Sequence, residues 1–223
     1  MADKATIGII GGTGDLGSGL ARLWAAAGHP VVIGSRTKDK AVAAAQALAA
    51  EGYTVCGDDN GGAARVSDIV VLSVPWSSHD AIVEEIKAEV DGKIVVDAAV
   101  PLVPPKVSQV QLPADGSPAI VAQRAFGPGT RVVAAFHNVG ARKLHGGQKA
   151  DCDVLVFADD PAARQQVIEL AGLVATRGVD GGLLCNTVAA EALTSVLIAI
   201  NRRYKVPGAG IRITGLPDVT AAL

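Results

Sequence analysis

Apolar residues gather in short blocks at positions 6–10, 31–33, 68–74, 93–97 and 131–135, each bounded by glycine or polar residues, and these blocks read as strands. Alanine-rich stretches of helical period fill the gaps between the first two pairs of blocks, and a further one spans 81–89. Strand alternating with helix predicts an α/β fold, a doubly wound parallel sheet. Between 99 and 118 the periodicity fails and five prolines (Pro101, Pro104, Pro105, Pro113, Pro118) interrupt the chain. Such a loop is either functional or an ordered connector. Ser117-Pro118 offers an N-cap followed by proline at the first helical position, so a helix is expected to about residue 125. Further strands are expected at 153–158, 174–177 and 210–214, with a helix from Pro161 to Leu173, a turn at Asp180-Gly181-Gly182 and a long apolar helix over 186–204.

The first strand runs into Gly11-Gly12-Thr13-Gly14-Asp15-Leu16-Gly17, and a helical pattern through Leu20, Leu23 and Trp24 follows. Strand, Gly-x-Gly-x-x-Gly and helix in this order form the dinucleotide fingerprint in the context that it needs. Gly12 suits the tight turn, Gly14 admits the pyrophosphate to the backbone, and Gly17 lets helix and strand pack closely. The second strand ends in Gly34-Ser35-Arg36-Thr37, where NAD-binding chains carry an acid for the ribose 2′-OH. Opposed unit charges about 4 Å apart are worth roughly 4 kcal/mol at an effective dielectric of 20, so a base in place of that acid selects NADP(H). Arg36 can present its planar fork to a 2′-phosphate, Ser35 its hydroxyl, and Lys40 a second positive charge. The alternative is that Arg36, Lys38 and Lys40 form a solvated helix start.

Composition narrows the picture further. The 223 residues suffice for one or two domains, and a larger and a smaller lobe are expected. Apolar content of 49% with only 3% aromatic residues suits helices packed closely on a parallel sheet. A formal charge of −2 supplies no basic field for nucleic acid. Cys56, Cys152 and Cys185 have no metal-binding spacing and read as thiols of a reducing, cytoplasmic compartment. No signal peptide is evident at the start, and the longest apolar runs fall far short of a membrane span.

Ligands bind at the carboxyl ends of the strands in this architecture, which draws attention to Ser73-Val74-Pro75-Trp76 and Phe136-His137-Asn138-Val139. Pro75 and Trp76 either pack against the dinucleotide or close the strand with a core tryptophan. His137 and Val139 are candidate catalytic residues framing one face of the reacting ring, whereas His29, His79 and His145 read as structural. A dehydrogenase of alcohols or imines needs a proton donor beside the reacting atom. The C-terminal part offers Asn186, Thr187, Glu191, Thr194 and Tyr204 without an evident acid–base pair, and no nucleophile elbow exists. Orientation with little acid–base help is the chemistry that this pattern suits.

Taken together, Gly11 to Gly17, Gly34-Ser35-Arg36 with Lys40, Val74-Pro75-Trp76, Lys93-Ile94-Val95-Val96 followed by Pro101-Leu102-Val103-Pro104, the His137 segment with Ala141-Arg142, and Leu193-Thr194 resemble the F420H2:NADP+ oxidoreductases nearly end to end. The resemblance implies a Rossmann domain over 1–148 and a small C-terminal α/β lobe over 149–223 that completes a deazaflavin cleft. It implies reversible hydride transfer between NADP(H) and coenzyme F420, the two rings stacked between the lobes. Thr13 would approach the phosphates, with Asp15 and Leu16 in the same turn, and Ser35, Arg36 and Lys40 would hold the 2′-phosphate. Val74, Pro75, Trp76, Ala99, His137 and Val139 would border the rings, and Thr194 would contact the deazaflavin. The archaeal members carry Thr-Ile-Pro after the histidine, where this chain has Asn138-Val139-Gly140. Arg142, Lys143, Arg202, Arg203 and Lys205 either meet the acidic tail of the deazaflavin or are solvated surface. Only small-molecule partners are expected, together with a homodimer built on the last apolar helix and the terminal strand. The competing readings are an NADPH-dependent imine, carbonyl or ferric reductase and a non-enzymatic NADPH-binding protein.

Overall fold

A sheet covered on both faces requires continuously apolar strands, and the central strands of this chain are of that kind. The structure, a computed structural model, describes residues 4–216. In chain order its elements are β1 (Ile7–Ile10), α1 (Asp15–Ala26), β2 (Val31–Ser35), α2 (Lys38–Ala49), β3 (Val55–Asp59), α3 (Asn60–Val66), β4 (Ile69–Leu72), α4 (Trp76–Ile86), β5 (Ile94–Asp97), α5 (Pro118–Phe126), β6 (Arg131–Ala134), β7 (Ala150–Ala158), α6 (Pro161–Val174), β8 (Ala175–Asp180) and α7 (Thr187–Tyr204). Every residue of β1, β2, β4 and β5 is buried.

The strands form one sheet in the order β3-β2-β1-β4-β5-β6-β7-β8. The first six are mutually parallel, β7 runs antiparallel to β6, and β8 is parallel to β7. This is the dinucleotide-binding topology, whose order reverses between β1 and β4. Register aligns Ile10 with Gly34 and Leu72, Leu72 with Asp97, and Asp97 with Ala134. The segments that leave β1, β2, β4, β5 and β6 therefore share one edge.

Several expectations are corrected. β3 and α3 were not foreseen, because Val55-Cys56-Gly57-Asp58-Asp59 lacks the β-branched run of its neighbours. That strand is defined by what packs on it: a Cβ on Gly57 would lie 2.3 Å from the Ala41 carbonyl carbon of α2. Helix α4 begins at Trp76, earlier than the apolar period suggests, since Pro75 already ends the strand. β7 starts at Ala150 and β8 runs to Asp180, so the turn falls at Gly181 and Gly182. Residues 210–214 are not a ladder strand; a few bonds fix them, such as Asp153 N–H to the Ile211 carbonyl at 2.8 Å and Ile213 N–H to the Asp153 carboxylate at 2.7 Å.

The C-terminal lobe extends the same sheet. One buried apolar cluster includes Ile9, Trp24, Phe136, Val154 and Val167, so the core crosses the expected boundary at 148/149. The Trp24 indole, fully buried, donates to the Leu170 carbonyl at 3.0 Å and ties α1 to α6. Residues 184–204, α7 with the turn before it, match a membrane span by length and a mean hydropathy of 1.4 alone, although their uninterrupted apolar runs are short and the buried Glu191 lies within them.

Candidate active site

At the end of β1, Gly11 adopts φ +79°, in the region that favours glycine. A Cβ on Gly17 would lie 2.7 Å from the Gly12 Cα and 2.8 Å from the Gly11 carbonyl, so the turn and α1 meet backbone to backbone. Gly14 is the N-cap of α1 and no side chain caps the helix, which leaves backbone N–H groups open to an anion. Thr13 and Gly14 are exposed at this point. Asp15 is exposed and faces His145 Nε2 at 3.5 Å, whereas Leu16 packs against the core and has only its backbone to offer.

A cavity of about 250 Å³ opens here, with Gly11, Thr13 and Gly14 on one side and Ser35, Arg36 and Lys40 on another. Val74, Pro75 and the unforeseen Asn60 and Ser78 close it. Three cations begin α2, and their surroundings separate them. Lys38 is paired with Asp58 at 2.6 Å. Arg36 and Lys40 are exposed and form no ion pair among the described residues. Lys38 is thus occupied by a carboxylate, whereas Arg36 and Lys40 line the glycine-walled cavity. A larger cleft of about 720 Å³, between Gln123, Arg131 and Asp160, lies at the opposite end of the sheet and holds none of the expected residues.

Beyond β4, Ser73 donates its hydroxyl to the Ile10 carbonyl at 2.9 Å and locks the two central strands together. Trp76, half-buried, stands with its ring centroid 5.3 Å from that of His79. His79 is fully buried, with Nε2 2.7 Å from Asp97 Oδ2. Burial opposes a charge on His79, but the Asp97 carboxylate outweighs it, so the imidazole keeps its proton above the ordinary histidine range. The other Asp97 oxygen accepts the Ala99 N–H at 2.9 Å, which places Ala99 directly after β5, buried.

After β6 the chain turns sharply at Phe136, which has φ +70°, an uncommon conformation for a non-glycine residue that costs roughly 1–3 kcal/mol. The turn brings His137 under α7. Thr194 donates its hydroxyl to the His137 carbonyl at 2.7 Å, so two residues 57 positions apart meet. His137 is 4% exposed, neither ring nitrogen has a hydrogen-bond partner, and burial pushes its pKa down to about 4. Its Nε2 lies 4.0 Å from Glu191 Oε1. Glu191 itself is 1% exposed and pushed up to about 7, chiefly by burial and further by the charge of Asp97. Val139 joins the apolar core, and Asn138 turns inward to donate to the Asp153 carbonyl at 2.7 Å.

The structure therefore gathers Gly11, Thr13, Gly14, Ser35, Arg36, Lys40, Val74 and Pro75 around one cavity, and joins His137 to Thr194; Gly12, Trp76, Ala99 and Val139 do not line that cavity. Sequence reasoning missed Asp97, the commitment of the Ser117 hydroxyl to Glu191 rather than to the helix it precedes, and the burial of Glu191. The available signal was a lone acid inside an apolar helix, at Glu191.

Known proteins resemble this chain over most of its length. Residues 6–101 match the family model described as "NADP oxidoreductase coenzyme F420-dependent". The F420-dependent NADP reductase of Methanocaldococcus jannaschii is 39% identical over 221 residues, covering 94% of this chain and 98% of the relative. The enzyme of the same name from Methanothermobacter marburgensis is 39% identical over 223 residues, covering 95% and 99%. A crystal structure from Arthrobacter sp. FB24, solved as a candidate F420-dependent NADP-reductase, superposes with a TM-score of 0.78 at 27% identity, covering 94% of this chain and 99% of that one. With this identity over nearly the whole length, the chain belongs to the F420-dependent NADP reductases.

Proposed function

We propose that the protein transfers a hydride reversibly between NADP(H) and the deazaflavin coenzyme F420. The observation that carries the cofactor half is the pair of unpaired cations, Arg36 and Lys40, beside Ser35 in the glycine-walled cavity. A 2′-phosphate supplies the negative charge that this corner lacks. Backbone N–H groups of Thr13, Asp15, Leu16 and Gly17 serve the pyrophosphate, while those of Gly12 and Gly14 brace the turn on the Ile9, Gly34 and Gly11 carbonyls; the Asp15 carboxylate, turned toward His145, keeps clear of it. Family membership supports the acceptor half.

Hydride passes between nicotinamide C4 and deazaflavin C5, and reacting carbons need to be held about 3–3.5 Å apart. Val74, Pro75, Trp76, Ala99, His137 and Val139 border the rings on the β4, β5 and β6 side, and Thr194 meets the deazaflavin from α7. An uncharged His137 suits this chemistry, which requires orientation of the rings rather than protonation of a carbonyl oxygen. Residues 149–223 act as the lobe that completes the cleft, because α7 is the element laid over the end of β6. Arg142, Lys143, Arg203 and Lys205 are exposed cations suited to an acidic tail.

The reading extends to assembly. Helix α7 leaves Val196 and, beyond its ends, Leu183 and Val206 exposed, an apolar face that a second copy would cover in a cytoplasmic homodimer. Light scattering should give twice the chain mass of 22.5 kDa, and Val196→Asp should halve it. For the reaction itself, NADPH and oxidised F420 mixed with the protein should bleach the visible deazaflavin band. No bleaching anywhere between roughly pH 5 and pH 9 would reject the proposed activity.

A further inference from the structure

Three buried polar atoms near the end of β6 have no hydrogen-bond partner: Nδ1 and Nε2 of His137, and Oε2 of Glu191. Each such orphan costs about 1–3 kcal/mol, so their convergence calls for an explanation. Glu191 is firmly held at its other oxygen. Oε1 accepts the Ser117 hydroxyl at 2.7 Å and the Thr187 hydroxyl at 3.3 Å, both from fully buried side chains. Ser117 is the N-cap residue of α5, yet its hydroxyl does not cap that helix, being committed to Glu191. The carboxyl is thereby fixed with one free oxygen, and His137 Nε2 lies 4.0 Å from the bonded one. That gap exceeds a hydrogen bond by about 1 Å; with Oε1 held by two hydroxyls, a carboxyl proton belongs on Oε2, and it is the His137 ring that turns to meet it.

We propose that Glu191 is a positioning residue: as an uncharged carboxylic acid it donates its proton to Nε2 of His137, and so sets the tautomer and ring orientation of that histidine. A neutral imidazole with its proton on Nε2 would donate to an ionised carboxylate, whereas one that presents its Nε2 lone pair is joined to the carboxyl only if the carboxyl keeps a proton. That proton can sit as a separated ion pair or as a neutral acid facing a neutral base. Burial decides for the neutral pair, since it disfavours both the imidazolium and the carboxylate. Of the other groups nearby, Asp97, bonded to His79, which also faces Asp80 at 3.3 Å, favours a proton on both His137 and Glu191, while the Ser117 hydroxyl and the Ala119 N–H at the start of α5 favour the Glu191 carboxylate; burial remains the largest effect on each. With Nε2 as acceptor, Nδ1–H becomes the one donor of the ring. Thr194 fixes the backbone of the same residue through the His137 carbonyl, so α7 grips both ends of His137.

The link to hydride transfer rests on the proposed place of His137 beside the rings, and the experiment separates the two. In ¹⁵N-resolved imidazole spectra of the protein without co-substrates, with His137→Gln used for assignment, His137 should show the Nδ1–H tautomer. Glu191→Gln should preserve it, because a carboxamide also donates one N–H while accepting from Ser117, whereas Glu191→Leu should lose it. In single turnovers of NADPH with F420, Glu191→Leu should be slower by about tenfold to a hundredfold with little change in the NADPH Michaelis constant. The parent rate should fall as Glu191 ionises near pH 7, and Glu191→Gln should remove that fall. An Nε2–H tautomer in the parent, or a Gln variant as impaired as the Leu variant, would overturn the proposal even if the Leu variant failed to fold. The expected tautomers with no change in turnover would uphold it and displace His137 from the rings instead.

Discussion

Arg36 and Lys38 stand two residues apart with the same charge, yet only Lys38 has a carboxylate, Asp58, within reach. Arg36→Ala should therefore raise the NADPH Michaelis constant about tenfold to a hundredfold, the range of one or two charge-assisted hydrogen bonds, while changing turnover little. Steady-state kinetics with NADPH checks this; an unaltered constant would place the phosphate elsewhere. His137 and Glu191 make a second prediction, on stability. His137 titrates near 6.5 unfolded and about 4 folded, so it stabilises the fold increasingly as pH rises through that interval. Glu191 titrates near 4.5 unfolded and about 7 folded, so its contribution runs the other way and is lost as pH rises through that range. Each slope is about 1.4 kcal/mol per pH unit, and between pH 4.5 and 6.5 the two offset one another. Glu191→Gln removes one of them. Its urea-unfolding free energy should then gain on the parent between those pH values, and parallel curves would show that the two groups are not linked to folding in this way.

At the level of elements, glycine explains both what was foreseen and what was not. The Gly11 to Gly17 turn is legible because its spacing is dictated by close approach, with a Cβ on Gly17 meeting backbone atoms at 2.7 and 2.8 Å. Strand β3 depends on the same physics at Gly57, but one glycine in an acidic segment carries no period to read. Gly57→Ala would drive a methyl into the Ala41 backbone of α2, since its Cβ would lie 2.3 Å from the carbonyl carbon. A loss of about 1–3 kcal/mol is expected, or roughly 2–10 °C in the melting midpoint for a chain of this size, measurable by calorimetry. An unchanged midpoint would mean that α2 is free to shift. The corresponding prediction does not hold for Gly52, where a Cβ meets nothing within 4 Å, although its φ of +92° still favours glycine. Helix α7 follows similar logic: its period was readable, but its buried acid is understood only once Ser117 of a distant loop is beside it.

At the scale of the whole molecule, the continuous sheet and shared core, pinned at Trp24, predict that the two expected lobes unfold as one cooperative unit. Trp24→Phe removes the donor to the Leu170 carbonyl and should cost about 1–2 kcal/mol while leaving a single unfolding transition in calorimetry; two transitions would show that the lobes unfold separately. By itself the sequence determined the parallel β/α alternation, the nucleotide turn and the basic corner at Ser35, Arg36 and Lys40. All of these are written in contiguous residues, because a strand's apolar run, a turn's glycines and the residue ending a strand act over a few positions. Only the tertiary structure decided that Lys38 is occupied while Arg36 and Lys40 are not, that β7 and β8 continue the sheet, and that His137, Glu191, Ser117 and Thr194 converge. Pairing, burial and desolvation depend on which distant segments come together, and no local period encodes that.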